Sequence, residues 1–168
     1  MGDGSSSRDI ELWLDDAARL WLAHDGIWFQ AVESEFGLAT AIKLDEIAMK
    51  RFTVIEAQRI KKRLGLEQGG GLNVLRRALE ARLYARLNEQ VFEEYEDRLV
   101  FSMKTCRVQA ARKRANLPDF PCKSVGIIEY EEFAREIDPR IKTRCLSCPP
   151  ERSDMNVWCK WEFILDGS

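Results

Sequence analysis

Apolar residues recur every three or four positions through most of the first 64 residues, and this period limits what the chain can fold into. A period near 3.6 residues places apolar side chains on one face of an α-helix. The apolar face predicted for the first helix includes Trp13, Leu20 and Ile27. Gly26 lies inside that helix, so a kink or a break there is an alternative. The three predicted helices cover residues 9–35, 38–64 and 72 to about 90.

The second half of the chain has a mixed pattern. Leu99, Phe101 and Met103 recur at every second position, which is the period of a β-strand. Two further helices are expected over residues 106–114 and 124–137. The three predicted strands are residues 98–104, 140–145 and 156–165, the last two forming a hairpin. The sequence therefore predicts an α+β fold in which N-terminal helices pack on a small antiparallel sheet with a C-terminal hairpin.

Length and charge exclude several classes of protein. The 168 residues suit one domain, which we place at residues 9–168 after a flexible tail at residues 1–8. There are 26 basic and 28 acidic residues, so the chain lacks the basic excess of a nucleic-acid-binding protein. No apolar run approaches the ~18 residues of a membrane span, and no signal peptide is recognisable. We therefore expect a cytoplasmic protein with neither a nucleic-acid nor a membrane partner.

The five cysteines all lie in the C-terminal part of the chain, from Cys106 onward. Cys145 and Cys148 have the C-x2-C spacing, and Cys159 falls on the neighbouring predicted strand, so three thiols can approach one point. Structural zinc takes four such ligands at ~2.3 Å. The spacing predicts a zinc site made of Cys122, Cys145, Cys148 and Cys159, with Cys106 as another possible fourth ligand and an iron–sulfur cluster less favoured. The alternatives are ordinary buried cysteines or redox chemistry.

Charged residues interrupt the apolar stripes of the helices. Asp45, Glu56 and Arg59 lie near the centre of the stripe on the second helix, and Arg82 and Arg86 flank that of the third. Buried charges are tolerated when they are paired, so one interpretation is an ionic network between packed helices. The other is a polar pocket that binds a ligand between helices. The residues predicted to line that pocket are His24, Asp45, Glu56, Arg59 and Arg86.

His24 is the single histidine, and the helical period places it on the apolar face of the first helix. One interpretation is a core histidine held by hydrogen bonds. The other is a catalytic base that activates a cysteine nucleophile, with Cys106 and Cys122 as the candidates. No G-x-S-x-G motif is present, so a serine hydrolase of that type is not indicated.

Six segments of the chain resemble an uncharacterised prokaryotic family whose members are described only as cytosolic proteins. These segments are Trp21–Phe29, Cys106–Arg112, Phe120–Gly126, Ile137–Lys142, Cys148–Pro150 and Cys159–Phe163. The order of elements is also remotely similar to that of L-2-amino-thiazoline-4-carboxylic acid hydrolases and of the 4-vinyl reductase domain. The latter resemblance implies a small-molecule-binding fold with cysteine metal sites in some members. No catalytic motif of the hydrolases is matched residue by residue.

Two functions follow as expectations. The first is a domain that binds a small anionic or amphipathic molecule and carries a cysteine metal site. The alternative is a hydrolase of cyclic amidine or thiazoline-like substrates with a cysteine nucleophile. A partner-binding protein is a third interpretation, which Trp158 favours because it points away from Trp161 on the predicted strand.

Overall fold

Gly37 separates two long helices, as the period of the apolar residues predicts. In the computed structural model, which describes residues 6–166, α1 spans Ser7–Phe36 and α2 spans Leu38–Leu64. Gly37 has a φ of 82°, a left-handed value that glycine adopts without strain, and its N–H donates to the Glu33 carbonyl at 2.9 Å. Helix α1 continues through Gly26, so the alternative of a break there is wrong.

The start of α1 lies close to its predicted position. Residues 1–5 of the predicted tail are outside the described residues, and α1 begins at Ser7 rather than at Asp9. The Ser6 backbone N–H donates to the Asp9 carboxylate at 3.1 Å, which satisfies one donor at the beginning of the helix. Within residues 6–166 no helix is both long and apolar enough to cross a membrane.

The prediction of one continuous third helix is wrong. The chain instead forms α3 over Gly71–Glu80 and α4 over Leu83–Leu87. Arg82, between them, takes an extended backbone conformation with ψ near 154°, and its side chain is buried. Because the helix is interrupted at Arg82, the guanidinium group of this residue lies in the interior. In a continuous helix it would lie on the side of the helix. The α3 N-terminus is fixed by Asp138, whose carboxylate accepts from the Gly71 N–H at 3.0 Å.

The sheet has four antiparallel strands in the order β1-β2-β4-β3. They are β1 (Gln90–Glu94), β2 (Arg98–Met103), β3 (Ile141–Ser147) and β4 (Cys159–Leu165). The C-terminal hairpin of β3 and β4 is confirmed. Strand β1 was not predicted, because its five residues include Glu93 and Glu94 and only Val91 and Phe92 are apolar. It forms through pairing with β2, in which Phe92 lies opposite Phe101.

Two helices complete the α+β fold that the sequence predicts. Helix α5 spans Arg107–Arg114 and α6 spans Lys123–Ile137, both within one residue of the predicted starts. Helix α6 contacts α2 and β3, and its buried Phe133 lies in the main core with Phe101, Trp161 and Phe163 of the sheet. Tyr130 of α6 packs against Trp161 with 4.8 Å between ring centroids and an angle of 37° between the ring planes.

The predicted apolar face of α1 is not the buried one. Trp13, Leu20 and Ile27 are exposed, whereas Ala18 is fully buried and Leu22 and Phe29 are half-buried. The helix therefore carries two apolar stripes on opposite sides. The sequence period predicts the more strongly apolar stripe, but the folded chain buries the other one.

Gly126 is required by the packing of α6 on the sheet. A Cβ atom at this position would lie 2.7 Å from Cζ2 of Trp161, a ring that is fully buried. Because neither ring nor helix can move freely, we expect Gly126→Ala to lower the free energy of unfolding by about 1–3 kcal/mol. Urea unfolding of the full chain measures the effect. Gly26→Ala is the matched control: its Cβ meets nothing within 4 Å, so a gain of up to ~1 kcal/mol is expected. Equal effects of the two substitutions would contradict the close packing.

Candidate functional site

A cavity of about 500 Å³ lies where α1, α2, α5 and α6 meet the sheet. Its size is in the range of small-molecule sites. Most of the wall is apolar, with Phe29 of α1, Met49 of α2, Phe120 before α6, and Val125 of α6. Phe29 and Phe120 pack edge to face with 5.0 Å between ring centroids. The cavity is therefore closed on one side by the stripe of α1 that the helical period did not single out.

Three carboxyl groups share this wall: Asp25 of α1, Asp45 of α2 and Glu129 of α6. The pKa of Asp45 is raised to about 7, first by burial and then by the charges of Asp25 and Glu129. The pKa of Asp25 is also raised, first by burial and then by Glu129. Near neutral pH the Asp45 side chain can thus carry a proton, and it can act as a hydrogen-bond donor as well as an acceptor.

Arg82, which is not itself in the cavity wall, binds the carboxylate of Glu129. Its Nη2 lies 2.6 Å from Oε1 of Glu129, and its Nε donates to Oε2 of Glu56 at 2.9 Å. Only 2% of the Arg82 side chain is exposed. Burial opposes the charge of the guanidinium group, but Glu56 and Glu129 together keep its pKa above the ordinary arginine value. The predicted pairing between an arginine of the third helix region and a charge of α2 is confirmed for Arg82 and Glu56.

Four thiols line the same cavity: Cys106, Cys122, Cys148 and Cys159. The Sγ atoms of Cys122 and Cys148 are 3.3 Å apart. A hydrogen bond from the Cys148 thiol lowers the pKa of Cys122 and raises that of Cys148. Burial raises the pKa of Cys106 to about 11 and raises that of Cys159 as well. Cys122 is consequently the thiol of this cavity that ionises most easily.

Gln109 of α5 positions Cys122. Its buried side-chain amide bridges the chain before α6: Nε2 donates to the Phe120 carbonyl at 2.9 Å, and Oε1 accepts from the Phe120 N–H at 2.9 Å. The same Nε2 lies 3.8 Å from Sγ of Cys122, the residue that directly precedes α6. These two hydrogen bonds fix the backbone at Phe120, close to Cys122, whose thiol lines the cavity.

A sequence model described as a family of unknown function, DUF6125, matches residues 3–165. The chain belongs to this family. The match agrees with the resemblance of the six segments to an uncharacterised family. No curated protein and no solved structure matches the chain. For a DUF6125 protein, any functional statement must therefore come from the site itself.

The structure does not bring together the five residues predicted to line a ligand pocket in this DUF6125 chain. Asp45 alone is in the cavity wall. Glu56 is buried in its pair with Arg82, and Arg59 is exposed. Arg86 is exposed and pairs with Glu11 and Asp15. His24 is exposed on α1 and is not in the cavity wall, because the stripe that contains it faces away from the cavity.

The predicted pairing of His24 with a cysteine nucleophile is likewise not formed, since both candidate thiols lie in the cavity and His24 does not. The two candidates differ from each other. The thiol of Cys106 is held protonated by burial, whereas that of Cys122 is favoured as a thiolate by Cys148. Of the three predicted catalytic residues, Cys122 is the one whose surroundings suit nucleophilic chemistry.

The four cysteines predicted to bind zinc are only partly assembled. Cys122, Cys148 and Cys159 line the cavity; Cys145 lies outside its wall, although its thiol is within hydrogen-bonding reach of Cys148. Among residues 6–166, no group of three or more histidine, cysteine, aspartate or glutamate side chains is arranged to hold a metal ion. The Cys122–Cys148 pair is the closest approach between thiols given by the structure, and its 3.3 Å separation fits a thiol–thiolate hydrogen bond.

Sequence reasoning missed Asp25, Gln109 and Glu129 as site residues. Glu129 lies in an acidic run of α6 with Glu131 and Glu132, a composition typical of an exposed helix face. Asp25 is adjacent to His24, but on an α-helix neighbouring residues point about 100° apart, so only one of the two can face the cavity. Gln109 lies in the Cys106–Arg112 segment that carries the family resemblance, which was the one available signal for it.

Proposed function

We propose that this chain binds a small amphipathic molecule in the cavity. The observation that carries the proposal is an apolar cavity of about 500 Å³ with three carboxyl groups in one part of its wall. The apolar body of the molecule would pack between Phe29, Met49 and Phe120. A cationic or hydrogen-bond-donating group would lie at Asp45 and its two carboxylate neighbours.

The electrostatics of the wall support this orientation. Glu129 contributes to raising the pKa of both Asp25 and Asp45. A bound cation or hydrogen-bond donor would relieve the repulsion among the three carboxyl groups, and a bound anion would add to it. An anionic ligand, which the sequence also predicts, is favoured only at the opening of the cavity to solvent, where the exposed side chains of Arg107 and Arg114 line it. A ligand whose polar group lies at that opening would therefore be favoured when the group is anionic.

A matched pair of aromatic probes tests the proposal: naphthalene carrying either an aminomethyl group or a carboxylate. We expect the amine to bind more tightly and to raise the melting temperature of the full chain. Gly26→Met should abolish this binding while the protein stays folded. Gly26 lines the cavity and has open space beyond its Cα, so the longer side chain has room to fill the site. Isothermal titration calorimetry and thermal unfolding give the two readouts.

Ala39→Met is the control, because Ala39 is exposed at the beginning of α2 and is not in the cavity wall. Binding of the amine that survives Gly26→Met would contradict the cavity as the site. Tighter binding of the carboxylate would move the polar group of the ligand to the arginines at the opening. Absence of binding by both probes would count against an aromatic amphipathic ligand.

The second candidate function is a thiol-dependent hydrolase, and the lowered pKa of Cys122 within the cavity favours it. A Cys122 thiolate would attack the electrophilic carbon of a bound substrate, and the bond from that carbon to its nitrogen or sulfur leaving group would break as the leaving group takes up a proton. Water would then hydrolyse the new bond between Cys122 and the carbon, which releases the product and restores the thiol. Cyclic amidine or thiazoline-like substrates are the class implied by the remote resemblance to the thiazoline hydrolases. The Cys148 thiol would donate a hydrogen bond to the thiolate in the resting site.

Alkylation kinetics test this candidate. We expect iodoacetamide to modify Cys122 fastest at neutral pH, by roughly 10-fold over a thiol whose pKa is raised. Cys122→Ser should remove the fast phase, and Cys106→Ser, the control, should retain it. Cysteine-specific mass spectrometry of the full chain identifies the modified residue. A fast phase on Cys106, or none on any cysteine, would contradict an activated Cys122.

The same experiment decides the proposed zinc site of Cys122, Cys145, Cys148 and Cys159. Protein purified without a chelator would carry about one zinc per chain, since one four-cysteine set holds one ion. Cys122 would then react only after chelation, because a metal-bound thiolate is protected. If Cys122 reacts freely in protein that contains no zinc, the resting form would be the thiol–thiolate pair of Cys122 and Cys148 and not a zinc site.

A further inference from the structure

The outer side of α1 carries a second apolar stripe, of which only Ile27 also lines the cavity. Its members alternate at intervals of three and four residues. We call this the outer stripe; it consists of Ile10, Trp13, Ala17, Leu20, His24, Ile27 and Ala31. Such spacing is that of a coiled-coil seam. Trp13 is 76% exposed, Leu20 70% and Ile27 68%, so within residues 6–166 nothing covers the stripe.

Helix α2 extends the apolar surface. Because Gly37 alone joins the helices and Trp21 stacks on Phe52 at 5.6 Å, α1 and α2 run side by side in opposite directions. Leu44, Ile47 and Ile55 are exposed on α2. With the large side chains of the outer stripe and Trp28, this surface amounts to roughly 600 Å² of apolar area. That equals the largest patches of monomeric proteins and exceeds the apolar part of a standard interface, which is about 450 Å² per partner.

The charges beside this surface differ between the two helices. Every exposed charged side chain of α2 is basic: Lys43, Lys50, Arg51, Arg59, Lys62 and Arg63. Of the exposed charges of α1, Asp25 and Arg19 line the cavity and Glu11 pairs with Arg86. The others are mainly acidic: Asp9, Asp16 and Glu35, against Arg8. The surface is thus complementary to a copy of itself when α1 of one copy meets α2 of the other.

We propose that the chain forms a two-fold symmetric dimer through the α1–α2 hairpins, with the outer stripe of each copy packed on α2 of its partner. In a two-fold interface every contact occurs twice, so one acidic helix and one basic helix per copy give two favourable pairings. The dimer leaves the cavity accessible from the opposite side of α1. It also explains why the strongest apolar period of the sequence lies on the outside of the fold.

Sedimentation velocity of the full chain across micromolar concentrations tests the proposal. We expect a dimer, and Trp13→Glu/Leu20→Glu should weaken its association by roughly 100-fold or more while circular dichroism and melting of the monomer stay normal. Both side chains are exposed and lie outside the cavity wall. Met155→Glu is the control, because Met155 is 71% exposed but lies outside the hairpin. A wild-type monomer at every concentration would assign the surface to a different partner and overturn the proposal. So would a dimer that survives Trp13→Glu/Leu20→Glu.

Charge exchange tests the arrangement of the helices. One variant, Asp16→Lys/Glu35→Lys, makes α1 more basic, and a second, Arg51→Glu/Lys62→Glu, makes α2 more acidic. Each should dimerise less well by itself, since α1 then meets an α2 of like charge. Mixed in equal amounts, they should form a heterodimer in which both pairings are again opposite in charge. Weakened homodimers that gain nothing on mixing would overturn the pairing of α1 with α2.

Discussion

Replacing Arg82 with methionine is expected to lower the free energy of unfolding by about 3–5 kcal/mol. The side chain is buried between Glu56 and Glu129, with its guanidinium carbon 4.9 Å from the ring centroid of Phe133. Methionine keeps much of the volume but removes the positive charge. Two carboxylates then remain in the interior without a counter-charge, and they must either take up protons or admit water.

Urea unfolding at neutral pH measures this loss, and Arg86→Met is the matched control. Arg86 lies four residues further on and also pairs with two carboxylates, Glu11 and Asp15, but it is exposed. Solvent-screened pairs contribute little, so the control should cost less than about 1 kcal/mol. Adding Glu56→Gln and Glu129→Gln to Arg82→Met should recover part of the loss. Equal losses for the two single variants would show that packing, and not charge, decides the effect.

Changing Asp45 to asparagine is expected to stabilise the protein above neutral pH and to alter its pH profile. The folded protein holds the Asp45 proton until a pKa of about 7, whereas the unfolded chain releases it near 3.8. The folded state therefore binds more protons between these values, and stability falls as the pH rises from about 4 to 7. The shift corresponds to at most about 4 kcal/mol, and the partial exposure of Asp45 reduces it. Asparagine has no ionisable proton, so the stability of Asp45→Asn should not show this fall between about pH 4 and 7.

Unfolding of Asp45→Asn and the parent at several pH values between 4 and 8 checks this expectation. The two stabilities should diverge as the pH rises and be closest near pH 4. Asp16→Asn serves as the control, because Asp16 is exposed on α1 and its pairing with Arg19 is a surface contact. Parallel profiles for Asp45→Asn and the parent would show that the Asp45 carboxyl group ionises normally in the folded protein.

The fold class could be predicted from the sequence because local patterns were consistent with the final packing. Gly37, the alternation around Phe101 and the segments of the final hairpin each specify an element with little help from elsewhere. Strand β1 could not be found this way, because it depends on its neighbour for pairing. The division between α3 and α4 was equally hidden, since it depends on two carboxylates of other helices that attract Arg82.

The candidate site was much less predictable. A helical period shows which residues share a face, but not which of two apolar faces turns inward, and on α1 that choice moved His24 out of the site and Asp25 into it. The thiols were found by their spacing, yet the closest pair joins Cys122 to Cys148 across 26 residues. Such a contact depends on the three-dimensional packing of α6 against the end of β3.

The order of the strands in the sheet has a consequence for synthesis of the chain. Strand β4 is the last of the four in sequence, but it lies between β2 and β3. While the chain emerges from the ribosome, β2 and β3 therefore each present an unpaired edge until residues 159–165 arrive. Unpaired edges are where nascent chains aggregate. The helical hairpin of α1 and α2 can form before then, but the sheet closes only once β4 has been made.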